Sequence, residues 1–388
     1  MKKERFCYMD NLRATALLLG VVLHSVLAYA PRSTNGWISS TPQQYEFFDY
    51  IFLVLRPWRM PLFFIIAGFF CGYLLCSRST FDVFKNRTYR IFLPYLVGLP
   101  FIVFGPYLTL EIWQEKLTNV PYLLTLQEQG MVYLNSGHLW FLFCLYEFIL
   151  LLIILVYLHL YTPSVTKFFA HPVSLLFFVP IAILPALMTE YVPYLTPDRL
   201  YPQAWSFGFY GVLFFIGAVL YQHQSAIDRM IKWIAPLAIF CVVGMIIYCL
   251  EIPEAPSKEE VKLLWAGDRL MGNEQEISLQ ILQSFLVVYL CYLSLALGKR
   301  YWSKESQVMR YCADASYWVY LVHVPIIFMI QMPMIDLHWP AWMKSAMTLT
   351  VTLTISFVSY QSLVRYTWIG KWLNGERKRN KVAVDVSQ

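Results

Sequence analysis

The stretch Ala-Thr-Ala-Leu-Leu-Leu-Gly-Val-Val-Leu-His-Ser, residues 14–25, indicates the fold class of this chain. It belongs to an apolar run over residues 12–30, and about 20 helical residues suffice to cross a bilayer. The run lacks a small-residue cleavage site and continues into an aromatic and polar stretch around Trp37. We therefore predict a first membrane span that is retained in the mature protein.

The composition indicates that such spans recur along the whole chain. Of the 388 residues, 58% are hydrophobic and 14% are charged, whereas soluble domains carry roughly 25% charged residues. We therefore predict an all-α fold, a polytopic membrane helix bundle forming one domain over residues 1–388. The ten predicted transmembrane helices lie at residues 12–30, 59–76, 90–107, 139–161, 174–191, 206–222, 232–250, 278–297, 315–332 and 342–366.

The loop charges predict the orientation of the bundle. An even number of spans places both termini on one side of the membrane, and 21 of the 30 Lys and Arg residues fall on that side. Because positively charged loops stay in the cytoplasm, we predict that both termini are cytoplasmic. Residues 373–388 then form a short basic cytoplasmic tail. The nine cations on the other side are Arg32, Arg56, Arg59, Lys116, Arg199, Lys258, Lys262, Arg269 and Lys344.

The first span carries a charged residue at one end and a histidine in its interior. Arg13 and His24 are eleven residues apart, so they share one helix face with about 16 Å of rise between them. An imidazole inside a hydrocarbon span is costly unless it faces the bundle interior or a wet cavity, so His24 is a functional candidate. The alternative is a histidine that only hydrogen-bonds a neighbouring helix.

The entry of the second span combines two arginines with two prolines, Arg56-Pro-Trp-Arg-Met-Pro, residues 56–61. The prolines predict a broken helix entry. Arg59 has two possible orientations: its guanidinium either extends outward to the interface or turns inward to hold an anionic acyl or phosphate group. Gly68 and Gly72 have the spacing of a close helix contact.

The loop that follows the second span is rich in cations. Such a cluster usually reflects topology alone. Its alternative role is to bind the phosphates of an anionic donor, although no glycine-rich phosphate loop accompanies it. The cations are Arg78, Lys85, Arg87 and Arg90.

Two further segments carry polar side chains at or inside predicted spans. His138 and Trp140 open the fourth span, where they indicate either an interfacial aromatic belt or a surface for carbohydrate. Ser316, Tyr320 and His323 lie along the ninth span, and Tyr320 and His323 are one helical turn apart. Hydrogen bonding between helices is the alternative to a catalytic role for this pair.

Four of these motifs, in this order, resemble those of acyltransferase family 3, and within it the branch that adds succinyl groups to periplasmic glucans. The motifs are Tyr-Met-Asp-Asn-Leu-Arg at 8–13 followed by His24, Arg-Met-Pro-Leu-Phe-Phe-Ile-Ile-Ala-Gly at 59–68, His-Leu-Trp-Phe-Leu at 138–142 and Ala-Ser-Tyr-Trp-Val-Tyr-Leu-Val-His at 315–323. The resemblance implies about ten membrane helices, a cytoplasmic acyl donor and an extracytoplasmic acceptor. It maps the family's motif positions onto Arg13, His24 and Arg59.

The resemblance implies an O-acyltransferase of the bacterial inner membrane that moves a succinyl or acetyl group from an acyl-CoA-type donor to a glucan hydroxyl. His24 is expected to act as general base or as acyl carrier. Arg13 is expected to hold donor charge or an oxyanion, and Arg59 a carboxylate such as succinate. Arg87 and Arg90 are expected to bind the donor, and His138, Trp140, Ser316, Tyr320 and His323 are candidates for the acceptor pocket.

Three alternatives remain at this point: O-acetylation of lipopolysaccharide or another surface polysaccharide, secondary transport, and a non-enzymatic role in sugar export. No inverted repeat supports a transporter. The eight cysteines form no CxxC pair and have no metal-type spacing to histidine. The sequence thus predicts no metal, no permanently bound cofactor and no nucleic-acid partner.

Overall fold

The computed structural model describes residues 6–33, 37–120, 135–194, 196–254 and 274–375, and all regular secondary structure in these residues is helical. The predicted all-α fold is therefore confirmed. The longer helices are α1 (Cys7–Val26), α2 (Glu46–Ser77), α3 (Thr80–Arg87), α4 (Leu93–Ile112), α5 (Trp140–Tyr157), α6 (Pro163–Phe169), α7 (Val179–Met188), α8 (Val212–Gln222), α9 (Ser225–Ile231), α10 (Ile234–Glu251), α11 (Glu274–Tyr301), α12 (Gln307–Gln331), α13 (Ala341–Ser359) and α14 (Trp368–Asn374). Shorter helical segments join them at Leu27–Tyr29, Pro31–Ser33, Thr88–Phe92, Gln114–Leu117, Gly137–Leu139, Ser174–Phe178, Ala204–Ser206, Phe207–Gly211, Met332–Met334 and Tyr360–Val364.

Most of the predicted membrane spans have a matching helix. Within the described residues, eight helical stretches are long and apolar enough to cross a membrane, and the number rises to nine if a pair bent by 73° counts as one span. That pair is Pro163–Phe169 with Ser174–Met188. The predicted third span, 90–107, falls on α4, which is not among these eight. A multi-pass helix bundle is confirmed, while the predicted tail lies outside the described residues from position 376 onward.

The prolines of the second span do not break its helix. The prediction of a broken entry was wrong, because α2 runs without interruption from Glu46 to Ser77 with both Pro57 and Pro61 inside it. A proline in a helix leaves the carbonyl four residues earlier without its N–H partner. Here the Tyr194 hydroxyl donates to the Pro57 carbonyl at 3.2 Å. This side chain replaces the hydrogen bond that Pro61 cannot make.

Glycines allow α2 and α8 to cross with their backbones in contact. A methyl group added at Gly68 would lie 1.9 Å from the Phe214 carbonyl oxygen, and one added at Gly217 would lie 1.9 Å from the Ile65 carbonyl oxygen. Both distances are impossible for real atoms, so only glycine fits at these two positions. The predicted close contact at Gly68 is confirmed, and it fixes α2 in the bundle. Helix α1 packs against both α2 and α12, which brings its polar face between them.

Candidate active site

The centre of the site is a pair of histidines from α1 and α12. The Nε2 atom of His323 lies 3.2 Å from the Nδ1 atom of His24, and the two ring planes are inclined by 24° with centroids 5.0 Å apart. His323 is 2% exposed, and its Nδ1 atom lies 2.7 Å from the Tyr320 carbonyl oxygen. The two histidine motifs, 299 residues apart in the sequence, thus form one contact.

The short turn before α5 adds a third histidine to this pair. The His138 ring lies edge-on to the His323 ring, with centroids 5.0 Å apart. The Tyr320 hydroxyl donates to the His138 carbonyl oxygen at 2.5 Å, so α12 holds the turn in place. His138, Tyr320 and His323, which the sequence placed in two separate motifs, therefore lie together, and His323 joins them to His24.

A segment that the sequence did not single out also contacts the His24 ring. The Trp37 ring lies 5.3 Å from the His24 ring, and its Nε1 atom donates to Gln331 Oε1 at 3.0 Å. Gln331 in turn donates from Nε2 to the Ser25 carbonyl at 3.1 Å. The Gln331 amide could have predicted this contact from the sequence, because Gln331 lies in an apolar span where an unpaired amide is costly.

Arg59 turns inward and lies against α1 one helical turn from His24. A methyl group added at Gly20 would meet the Nη1 atom of Arg59 at 2.3 Å, so the glycine provides the space for the guanidinium. The buried Nε atom of Arg59 has no hydrogen-bond partner among the described residues. Of the two orientations expected for Arg59, the structure has the inward one. The result is a cation close to the histidine pair, available to an anionic group.

Arg13 and Ser316 lie together at the other end of the polar stripe. Arg13 forms an ion pair with Asp10 at 3.3 Å, and its Nη2 atom lies 3.4 Å from the Ala313 carbonyl oxygen. The Ser316 hydroxyl donates to the same carbonyl at 3.0 Å. Seven residues separate Ser316 from His323, which is about 10 Å along a helix. The structure therefore does not bring Arg13 or Ser316 to the histidine pair.

Trp140 lies in an aromatic cluster. Its ring packs on the Tyr210 ring at 5.2 Å and on the Phe64 ring at 6.1 Å, and the residue is only 6% exposed. This placement is that of a core aromatic residue between α2, α5 and the Phe207–Gly211 segment. A contact between Trp140 and an acceptor stays a prediction.

A basic cleft of about 600 Å³ opens at the end of the bundle, where α14 packs against the Thr88–Phe92 segment that follows α3. The Trp372 indole donates to the Tyr89 carbonyl at 2.6 Å, which joins the two walls. Burial, followed by repulsion from Arg78, lowers the pKa of Arg90. The side chains that line this basic cleft are Arg78, Asp82, Lys85, Asn86, Tyr89, Arg90, Lys371 and Trp372.

Arg87 lies beside this cleft but does not line it. Its Nε atom is buried and has no hydrogen-bond partner among the described residues. Burial lowers the pKa of Arg87, and the charges of Arg90 and Arg13 lower it further. Of the two predicted donor-binding arginines, Arg90 is placed to touch a ligand in the cleft, and Arg87 adds positive charge behind it.

Comparisons with known proteins agree with the resemblance found in the sequence. The profile described as "Acyltransferase domain", that of acyltransferase family 3, matches residues 7–361. Proteins called "Glucans biosynthesis protein C" from Salmonella heidelberg (strain SL476) and Salmonella agona (strain SL483) are each 24% identical to this chain over 339 residues, covering 82% of it and 81% of their own length. No solved structure matches the chain.

Proposed function

Since this chain belongs to acyltransferase family 3 and is a membrane acyltransferase, we propose that it moves a succinyl or acetyl group from cytoplasmic acyl-CoA to a hydroxyl of a periplasmic glucan. The glucan is suggested by the name of the similar proteins. The observation that carries the proposal is the separation of two sites, a histidine pair inside the bundle and a basic cleft at one end. In this proposal the protein lies in the inner membrane with both termini in the cytoplasm.

The proposed reaction is attack of the sugar hydroxyl on the thioester carbonyl. His24 takes the hydroxyl proton as the new C–O bond forms. The C–S bond then breaks, His24 passes this proton to the sulfur, and the coenzyme leaves as the thiol. A second route with the same overall balance has His24 accept the acyl group first and pass it to the sugar. Both routes use the His24 imidazole, which contacts the Trp37 and His323 rings.

We assign the donor's phosphates to the basic cleft. Four of its eight lining side chains are cations and one is a carboxylate, so the cleft attracts anions. Arg90 is the cation placed to form charge-assisted hydrogen bonds with phosphate oxygens. The aromatic faces of Tyr89 and Trp372 offer a stacking surface for a nucleotide base.

The remaining cations extend from this cleft toward the histidines. Arg13 lies about 16 Å from His24 along α1, where it contributes positive potential to the donor's path. Arg59 lies next to His24 and is suited to stabilise the carbonyl oxygen as it becomes an oxyanion. A carboxylate at the end of a succinyl group is a second possible partner for its free Nε donor.

The test is mass spectrometry of periplasmic glucans and surface polysaccharides from cells that lack the gene and carry either wild type or His24→Ala. We expect wild type to restore a mass increase of one acyl unit, and His24→Ala to restore none while it accumulates normally in the membrane. His338→Ala, which changes an exposed histidine, is the control and should behave as wild type.

The same spectra separate the alternatives. An acyl unit found on lipopolysaccharide and not on the glucan would replace the acceptor in this proposal. Unchanged glycans in every strain would favour secondary transport. A fully active His24→Ala would remove the histidine from the reaction.

A further inference from the structure

The hydrogen bonds of His323 determine which of its nitrogens carries a proton. Its Nδ1 atom lies 2.7 Å from the Tyr320 carbonyl oxygen and 3.1 Å from the Val319 carbonyl oxygen. Carbonyl oxygens only accept hydrogen bonds, so Nδ1 must be the donor. In a neutral imidazole the other nitrogen is then an acceptor.

The rings are best described as neutral in the resting protein. No carboxylate of the described residues forms an ion pair or hydrogen bond with His24 or His323. An unpaired charge in a buried apolar environment is costly. The lone pair on His323 Nε2 is therefore available to a donor.

The only ring nitrogen in contact with that lone pair is His24 Nδ1, at 3.2 Å among the described residues. Since His323 Nε2 accepts, His24 Nδ1 must donate, and the lone pair of His24 is left on Nε2. We propose that His323 is a positioning residue that holds His24 in the Nδ1–H tautomer, so that Nε2 of His24 is the atom that takes the hydroxyl proton. This inference rests on the proposed function of His24.

In this arrangement His24 is a general base and His323 orients it. Catalytic triads use a carboxylate for the orienting role, whereas here the orienting group is a neutral imidazole. When His24 Nε2 gains a proton, the Nδ1–H of the imidazolium continues to donate to His323 Nε2. One proton moves from the sugar hydroxyl to His24 Nε2 and then to the sulfur of the leaving coenzyme, while His323 keeps its own proton, so both imidazoles end the reaction neutral. A neutral partner orients the ring without placing a second charge in the apolar core.

Two substitutions at His323 separate this positioning role from simple packing. In Asn the amide nitrogen corresponds to Nδ1, so His323→Asn can keep the bond to the Tyr320 carbonyl but cannot reach His24. In Gln the amide extends to the place of Nε2, and its oxygen can accept from His24 Nδ1. We expect His323→Asn to lower kcat by about 10- to 100-fold, the loss seen when the hydrogen-bonding partner of a metal-binding histidine is removed, with an unchanged KM for acyl-CoA. His323→Gln should recover most of the lost rate.

The measurement uses the full-length protein in lipid nanodiscs, with kcat, KM and the thermal unfolding midpoint recorded for each variant. Equal loss of kcat in both variants at unchanged unfolding midpoints would overturn the positioning role. Wild-type kcat in His323→Asn would overturn it as well, while leaving the proposed function intact if His24→Ala is inactive.

A spectroscopic experiment tests the tautomer even if neither variant folds. Wild-type protein labelled with ¹⁵N-histidine is examined by solid-state NMR, and the His24 signals are identified by their loss in His24→Gln. We expect a protonated, pyrrole-type Nδ1 and an unprotonated, pyridine-type Nε2 for His24. A protonated Nε2 in the resting protein would overturn the inference.

Discussion

The histidine pair and the basic cleft are built in opposite ways. His24 and His323 are held by short contacts inside the bundle, each ring fixed by neighbours. The basic cleft is open, and most of its cations lie between residues 78 and 90, on and beside α3, where the side chains of Arg78 and Lys85 are exposed. The comparison indicates that geometry matters at the first site and total charge at the second. A substitution at the first should alter kcat, and one at the second should alter donor affinity.

The largest effect should come from crowding Arg59 at the first site. Gly20→Ala places a methyl group where the Arg59 Nη1 atom lies, so the guanidinium must shift from its place beside α1. A displacement of about 1 Å can cost on the order of 100-fold in rate, and we expect kcat to fall by that order with little change in KM for acyl-CoA. Initial rates of acyl transfer in nanodiscs measure it.

The matched control for this change is Gly105→Ala in α4. A methyl group there meets nothing within 4 Å, so kcat should stay at the wild-type value. Equal rates for the two alanine variants would mean that Arg59 does not need its place beside α1.

A smaller effect is expected when a cation is removed from the basic cleft. Hydrogen bonds to charged groups contribute about 1.5–3 kcal/mol, so Arg90→Ala should raise KM for acyl-CoA by roughly 10- to 100-fold at unchanged kcat. The rise should shrink as salt is added, because exposed charges are screened.

Arg300→Ala serves as the comparison, since Arg300 is exposed on α11 and does not line the cleft. Its KM should equal that of wild type. An Arg90→Ala enzyme with normal KM and reduced kcat would contradict the assignment of donor binding to the basic cleft and of catalysis to the histidine pair.

The smallest effect should follow from Trp372→Phe. This variant keeps an aromatic face but loses the hydrogen bond from the indole to the Tyr89 carbonyl, which is worth about 0.5–1.5 kcal/mol. We expect KM for acyl-CoA to rise by a few-fold. The dissociation constant of acyl-CoA, measured by isothermal titration calorimetry, would show whether the change lies in affinity.

The sequence predicted the parts of the histidine site better than their assembly. Tyr320 and His323 could be paired because helical spacing puts them one turn apart. The contact between His24 and His323 could not be derived, since periodicity within one helix does not say which other helix faces it. The same limit hid the bond between Trp37 and Gln331.

Two other expectations show what local pattern leaves out. Ser316 shares a motif with His323 but lies two turns away, beside Arg13, because a motif that extends along a helix does not point to one place. Pro57 and Pro61 predicted a break, yet Tyr194 supplies the missing hydrogen bond from 133 positions beyond Pro61. Whether a proline breaks a helix therefore depends on residues that are distant in the sequence.

The basic cleft also has a consequence for the order in which the protein matures. Its first cations, such as Arg78, lie in the first quarter of the chain, while Lys371 and Trp372 lie near its end. During synthesis a nascent chain therefore exposes the loop long before the second wall exists. The histidine pair has the same dependence, because His24 leaves the ribosome about 300 residues before His323. A chain that stops before residue 323, through a nonsense mutation or a stalled ribosome, would thus have neither centre assembled.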